Sequence, residues 1–230
     1  MAETISMQII ARIHSDFQTK FGIPRQSNLV PQLRATVIFE PSYRNADALR
    51  GLEGFSHLWL LWQFSAAVRQ NWSPTVRPPR LGGNTRMGVF ATRSPFRPNP
   101  IGLSAVALEQ VEWDTPVGPV LHVLGADLMD GTPILDIKPY IPYADAYPDA
   151  KGGFAPAAPT PTLEVSCPPA LLTQLPENRR EALLAILAQD PRPRYQDDPD
   201  RIYGMNFAGF DIHFSIRGNL LTVLNILPIE

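Results

Sequence analysis

Apolar positions in the first 140 residues come in short runs separated by turn signals. Ile5–Ile13, Ala35–Phe39, Phe55–Phe64, Met87–Thr92, Gly102–Val111, Val117–Val123 and Ile134–Tyr140 read as strands, several of them rich in β-branched or aromatic residues. One short helix is expected over Asn45–Leu52, with Asn45 or Asp47 as its cap. Pro95, Pro98 and Pro100 exclude a central strand between residues 95 and 100, because proline has no N–H to donate to a ladder. Short strands joined by Pro/Gly turns point to a barrel or sandwich rather than to βαβ units. Beyond residue 150 the pattern changes. Residues 150–162 read as a linker or a long ordered loop. Pro176–Gln189 has helical spacing, with Leu183, Leu184, Ile186 and Leu187 on its buried face, and Asp190-Pro191 stops it. Phe210, Ile212, Phe214 and Ile216 alternate, Arg217-Gly218-Asn219 turns, and Leu220–Leu227 returns as a hairpin. The expected organisation is a β-rich domain over residues 1–155 and a small α+β domain, helix plus hairpin, over 156–230. No internal repeat is visible.

Composition narrows the class. A chain of 230 residues with 44% hydrophobic and 18% charged positions can bury a core without staples. Its single cysteine, Cys167, excludes an intrachain disulfide and a cysteine-based metal cluster. The start lacks a basic segment followed by an apolar one, so no export signal is expected. Leu58–Trp62, the most apolar segment, is too short for a bilayer, and a soluble, cytoplasmic protein is expected. The 25 prolines, against a usual share of about 5%, argue for fixed turns and edge strands.

The net charge of −2 hides a strong asymmetry. No acid lies between Glu53 and Glu109, yet Arg69, Arg77, Arg80, Arg86, Arg93 and Arg97 do. From Glu109 to Glu164 acids dominate, with only Lys138 and Lys151 against them. The two stretches can neutralise each other across a fold. Mutual neutralisation does not explain why the basic stretch is shaped by Pro78-Pro79, Gly82-Gly83-Asn84 and Pro98-Asn99-Pro100. Arginines on such loops suit an anion, a nucleic-acid backbone included.

Common catalytic signatures are absent. There is no Gly-x-Gly-x-x-Gly after a strand, no phosphate-binding Gly-Lys-Ser/Thr loop, no His-Glu-x-x-His and no Gly-x-Ser-x-Gly elbow. His14, His57, His122 and His213 have no metal-ligand spacing, and His57 reads as a hydrogen-bonded core residue. What remains is a set of loops: Pro24-Arg25-Gln26, Arg93–Pro100 and Asp127–Pro133. On the following strand Asp136, Lys138 and Tyr140 share one face, opposite Leu135 and Ile137. They are either proton-transfer equipment or a salt bridge beside a tyrosine.

These residues carry a resemblance. Arg77–Asn84, Gly88–Ser94 and Arg97–Ser104 resemble the TrmO family, as do Phe21–Gln26, Gly51–Trp59, Asp130–Pro133, Asp136–Tyr140 and Gln189–Tyr195. The likeness spans nearly the whole chain in order. It implies a tRNA methyltransferase dependent on S-adenosyl-L-methionine, acting on the exocyclic nitrogen of threonylcarbamoyladenosine at position 37, beside the anticodon of threonine tRNAs. It also implies a mainly β fold, α+β overall: a single-sheet, antiparallel-rich β-barrel with a small α+β C-terminal domain, assembling as a homodimer. Carried onto this sequence, the implied cofactor site is Pro24, Arg25, Gln26, Arg93, Leu103 and the turn Asp127, Leu128, Met129 and Asp130. Ser65-Ala66 departs from the larger polar residues common in relatives. For the proton, Asp136 or Tyr140, tuned by Lys138, is a candidate base, the alternative being loss to water. Arg77, Arg80, Arg86 and Arg97 are candidate phosphate contacts, with Arg192, Arg194 and Tyr195 closing on the anticodon loop. Two other classes compete: a non-catalytic RNA-binding module, and a methyltransferase acting on a small molecule.

Overall fold

The computed structural model describes residues 3–67, 71–157, 163–192 and 198–229. Before residue 140 the described strands are β1 (Ala11–Ser15), β2 (Arg34–Phe39), β3 (His57–Gln63), β4 (Thr75–Val76), β5 (Met87–Gly88), β6 (Ile101–Glu112), β7 (Val120–Leu124) and β8 (Thr132–Pro139). Except for β4 and β5, which form their own ribbon, they close into one antiparallel barrel in the order β1-β2-β7-β6-β3-β8. Closure removes every free sheet edge. Burial alternates accordingly. On β3, Leu58, Leu60 and Trp62 point into the core while His57, Trp59, Leu61 and Gln63 point out. Trp62 lies opposite Gly102 of β6, where any Cβ would collide with the indole. A short α1 (Pro142–Asp145) follows β8, and Asp145 accepts from the Trp59 indole N–H at 3.0 Å.

The second unit contains β9 (Glu164–Ser166), α2 (Pro169–Leu172), α3 (Glu177–Ala188), β10 (Ile202–Phe207), β11 (Phe210–Arg217) and β12 (Leu220–Pro228). Its sheet runs β10-β11-β12-β9, with β9 parallel to β12. The hairpin of β11 and β12 turns where Arg217-Gly218-Asn219 places it. Helix α3 buries Ala182, Leu183, Ile186 and Leu187. Leu184, expected on that face, is only half-buried, because the stripe runs through Ala182 instead.

Three expectations are corrected. The first strand starts at Ala11 rather than Ile5: Ile5 and Met7 are exposed, and ladder bonding begins at the Ile10 N–H. Met87–Thr92 is a strand for two residues only, then a 3-10 turn over Val89–Ala91 closed by Thr92 N–H on Val89 C=O. Asn45–Leu52 is not one helix but two 3-10 turns, Ala46–Leu49 and Leu52–Gly54, broken at Gly51 with φ of 86°. Asn45 does act as the cap, accepting from Asp47 N–H. No helix among the described residues is long and apolar enough to cross a membrane.

Two hydrophobic clusters result, and the connection from β1 to β2 belongs to the second. Phe17, Val30 and Leu33 are buried among Leu183, Ile186, Phe207, Phe214 and Leu221. Phe17 packs its ring against Phe207 at 5.6 Å. Asp16 pairs with Arg179 of α3 at 2.8 Å, both well shielded. Burial pushes the Asp16 carboxyl up, and the Arg179 charge opposes the shift. Asp16→Ala leaves Arg179 in that shielded position without its carboxylate and should cost about 3 kcal/mol in urea unfolding. Asp16→Leu combined with Arg179→Met should cost clearly less, since it removes both charges. Equal losses in the two proteins would show that the pair is not what holds the contact.

Candidate active site

Strand parity decides where loops gather. In the barrel β1, β3 and β7 run the same way, so the connections 16–33, 64–100 and 125–131 leave from one end. The opposite end carries 40–56 and 113–119. The sequence therefore brings three distant segments to one mouth.

Those segments touch. Arg93 Nη1 donates to Gln26 Oε1 at 2.5 Å, joining the second connection to the first. Lys20 Nζ donates to the Ala66 carbonyl, which places Ser65-Ala66 beside the same strip. Pro24 is buried and Arg25 exposed. Asn28, with φ of 62°, fixes the far end of the strip: its N–H donates to Gly125 C=O and its side chain to Ala105 C=O. At the mouth, the Trp62 indole donates to Ser104 Oγ at 3.0 Å, and Ser104 donates to Asp127 Oδ1 at 2.6 Å. Ser104 is 1% exposed, and a hydroxyl there persists because both of its roles are satisfied. Burial raises the Asp127 carboxyl above its usual 3.8; the Ser104 hydrogen bond, the Arg93 charge and the Ser27 N–H act against that rise.

The turn after β7 is pinned on both sides. Leu128 is in the barrel core, its carbonyl accepting from Ser15 Oγ at 2.8 Å. Met129 C=O takes the Thr132 hydroxyl at 2.6 Å, and Asp130 accepts from Ser15 N–H, with His14 Nδ1 at 3.3 Å. The N–H groups of Leu128 and Met129 make no hydrogen bond among the described residues. The mouth thus offers a guanidinium, a desolvated carboxylate and two amide donors.

Other residues singled out in the sequence lie elsewhere. Leu103 is 48% exposed on the outer wall, in one row with Leu61 and Asp136 across β6, β3 and β8. Asp136 is held by Lys138 at 2.8 Å on the same wall. Tyr140 packs against Trp59 and His57 at the barrel's far end, about 25 Å along β8 from the mouth. Among the arginines, Arg77 and Arg86 are exposed with no partner among the described residues. Arg80 donates to Ala157 C=O, and Arg97 donates to Thr92 C=O at 2.9 Å. Arg192 grips Asp190 with two bonds of 2.9 Å. Arg194 and Tyr195 lie outside the described residues. Trp62, Ser104 and Asn28 were not anticipated as parts of this mouth. The one readable signal was Ser104, a hydroxyl among the otherwise apolar inward positions Gly102, Val106 and Val111 of β6.

The comparisons agree with this architecture. Residues 12–146 match the tRNA-methyltransferase O N-terminal domain and residues 160–229 the TrmO C-terminal domain. A tRNA (adenine(37)-N6)-methyltransferase of Escherichia coli K12 is 44% identical over 227 residues, covering 95% of this chain and 96% of that protein. A putative S-adenosylmethionine-dependent methyltransferase of Pseudomonas aeruginosa is 44% identical over 97% of this chain and 98% of its own length. A crystal structure of TrmO from Pseudomonas aeruginosa superposes with a TM-score of 0.80 at 38% identity, covering 97% of this chain and 98% of that one. With both domains matched in order and relatives of this identity over nearly the full length, the chain belongs to the TrmO family.

Proposed function

We propose that this protein is a tRNA methyltransferase that uses S-adenosyl-L-methionine to methylate the exocyclic nitrogen of the adenine at position 37, in its threonylcarbamoyl form, in threonine tRNAs. The observation that carries the reading is the convergence of Gln26, Arg93 and Asp127 at one barrel mouth, the end from which the connection that carries the arginines leaves. The activity named for the relatives and the family resemblance supply the substrate. A homodimer in the cytoplasm is part of the same reading.

The donor set fits the cofactor. S-adenosyl-L-methionine supplies an electrophilic methyl group on a cationic sulfur and carries a carboxylate and an adenine as handles. Arg93, and Arg25 beside it in the strip, offer the planar fork a carboxylate takes. The N–H groups of Leu128 and Met129, unbonded among the described residues, suit the acceptors of an adenine edge. Asp127 sets a desolvated negative charge where a cation is to be held, and Ser104 fixes its orientation. Arg77 and Arg86, whose charges meet no acid among the described residues, steer the RNA toward the mouth. The chain's contribution is chiefly alignment of two bound partners, which removes an entropic share of the barrier.

Labelled methyl transfer tests the reaction. Label should enter tRNA carrying threonylcarbamoyladenosine and not the same transcript without it; label in both would remove the threonylcarbamoyl requirement. Label in neither, with cofactor bound, would move the activity to another substrate. The pH dependence of cofactor binding tests Asp127. Because its folded pKa is raised, the charge that favours a cation is present above that pKa and lost as pH falls through it, so affinity should weaken toward acid. Asp127→Asn should bind weakly and with a flat pH profile. Arg77→Ala should lower the salt slope of tRNA binding by about one counterion, whereas Arg192→Ala, whose charge Asp190 already answers, should leave the slope nearly unchanged.

A further inference from the structure

The connection between β3 and β6 exposes an aromatic pair that neither core uses. Trp72 is 49% exposed and Phe90 72% exposed, yet their rings are stacked, with centroids 6.1 Å apart and planes at 22°. The backbone fixes this arrangement. Ser73 N–H donates to Phe96 C=O at 3.0 Å, Val89 N–H to Pro74 C=O at 3.0 Å, and β4 pairs Thr75 with Gly88 and Val76 with Met87. Arg97, itself held by Thr92 C=O, sets its guanidinium 6.0 Å from the Phe90 ring. One residue beyond the last ribbon pair come Arg77 and Arg86, two like charges with no acid among the described residues to answer them. Like charges facing across a ribbon destabilise it, and two large rings left in water forgo burial. Both are accounted for by one occupant: an anion that also carries flat apolar faces.

We propose that Trp72 and Phe90 form a pre-built stacking platform for an unstacked nucleobase of the tRNA anticodon loop, with Arg97 completing the platform and Arg77 and Arg86 on the flanking phosphates. The proposal rests on the tRNA reading above and adds to it the residues that hold the loop open. Single-stranded loop bases are normally held on aromatic rings or guanidinium planes. Since the protein fixes the pair before RNA arrives, little ordering cost remains at binding. Trp72 and Phe90 act as positioning residues. They receive a base beside the target and touch no reacting atom.

The test compares full-length Phe90→Ala, Trp72→Ala, Phe90→Leu and Phe90→Tyr proteins with wild type on threonine tRNA carrying threonylcarbamoyladenosine. KM for tRNA should rise about tenfold in the two alanine variants, while kcat and the cofactor Kd stay within twofold. Phe90→Tyr should restore the wild-type KM and Phe90→Leu should not, because a base stacks on a ring and not on a branched alkyl group. Unchanged tRNA KM in all four, with an active wild type, would overturn the platform and leave the methyltransferase reading standing. A fall in sedimentation coefficient of Phe90→Ala with unchanged tRNA affinity per dimer would give the pair to an interface between two copies, which also overturns it. Wild type that neither binds nor methylates this tRNA would overturn the substrate reading and the platform together.

Discussion

The connection between β1 and β2 has no regular structure of its own, and two hydrophobic cores share the task of shaping it. A connection of this length would ordinarily be mobile, because exposed backbone without a core has little to order it. Here Phe17, Val30 and Leu33 are inserted into the C-terminal unit, Asp16 is held by Arg179, and Gly22 passes so close to Met205 that a Cβ would overlap its side chain. Between those anchors lies Pro24-Arg25-Gln26. The C-terminal unit is therefore a mould for the strip that meets Arg93, and the geometry of the barrel mouth depends on that unit being folded. Removing it would unshape the strip rather than merely shorten the protein.

The barrel contributes in a different way. Closure with antiparallel neighbours forces alternate connections to one end, so three segments far apart in sequence meet without a long crossover. The inward face tolerates Ser104 only because Trp62 donates to it and Asp127 accepts from it. A satisfied polar chain in a low-dielectric interior is directional as well as stable. Asp127 is thereby aimed by a residue two strands away, which a loop carboxylate could not achieve alone.

How far the sequence disclosed this varies with the kind of interaction. β3 and β6 were legible as short apolar runs, and β11 as an alternation, because one of its faces is buried and the period is two. The stop at Asp190-Pro191 and the turn at Gly218 were legible because proline and glycine act locally. Missed were β9 and β10: β9 has three residues and gains its partner from β12, more than fifty positions away. Met87–Thr92 has strand propensity, but the Val89 N–H finds Pro74 and the chain curls after two residues. At the mouth, the individual motifs could be named in sequence, yet the contact of Gln26 with Arg93 and the Trp62–Ser104–Asp127 chain are products of closure. No local pattern encodes them.

The distribution of committed and uncommitted charge bears on the chemistry. Arg12, Arg34, Arg179 and Arg192 each have a carboxylate, as does Lys138, so along most of the chain opposite charges answer each other. The loop from 64 to 100 is the exception, with arginines and no acid, and it leaves the barrel from the same end as the half-buried Asp127. A shielded carboxylate and a set of arginines at one end of a barrel present opposite signs to partners of opposite charge. Asp136 and Lys138 neutralise each other on the outer wall, and Tyr140 lies at the far end of the barrel. On the function proposed above, the groups at the mouth hold and orient two ligands of opposite charge. Such an arrangement favours a transfer whose barrier falls mainly through alignment.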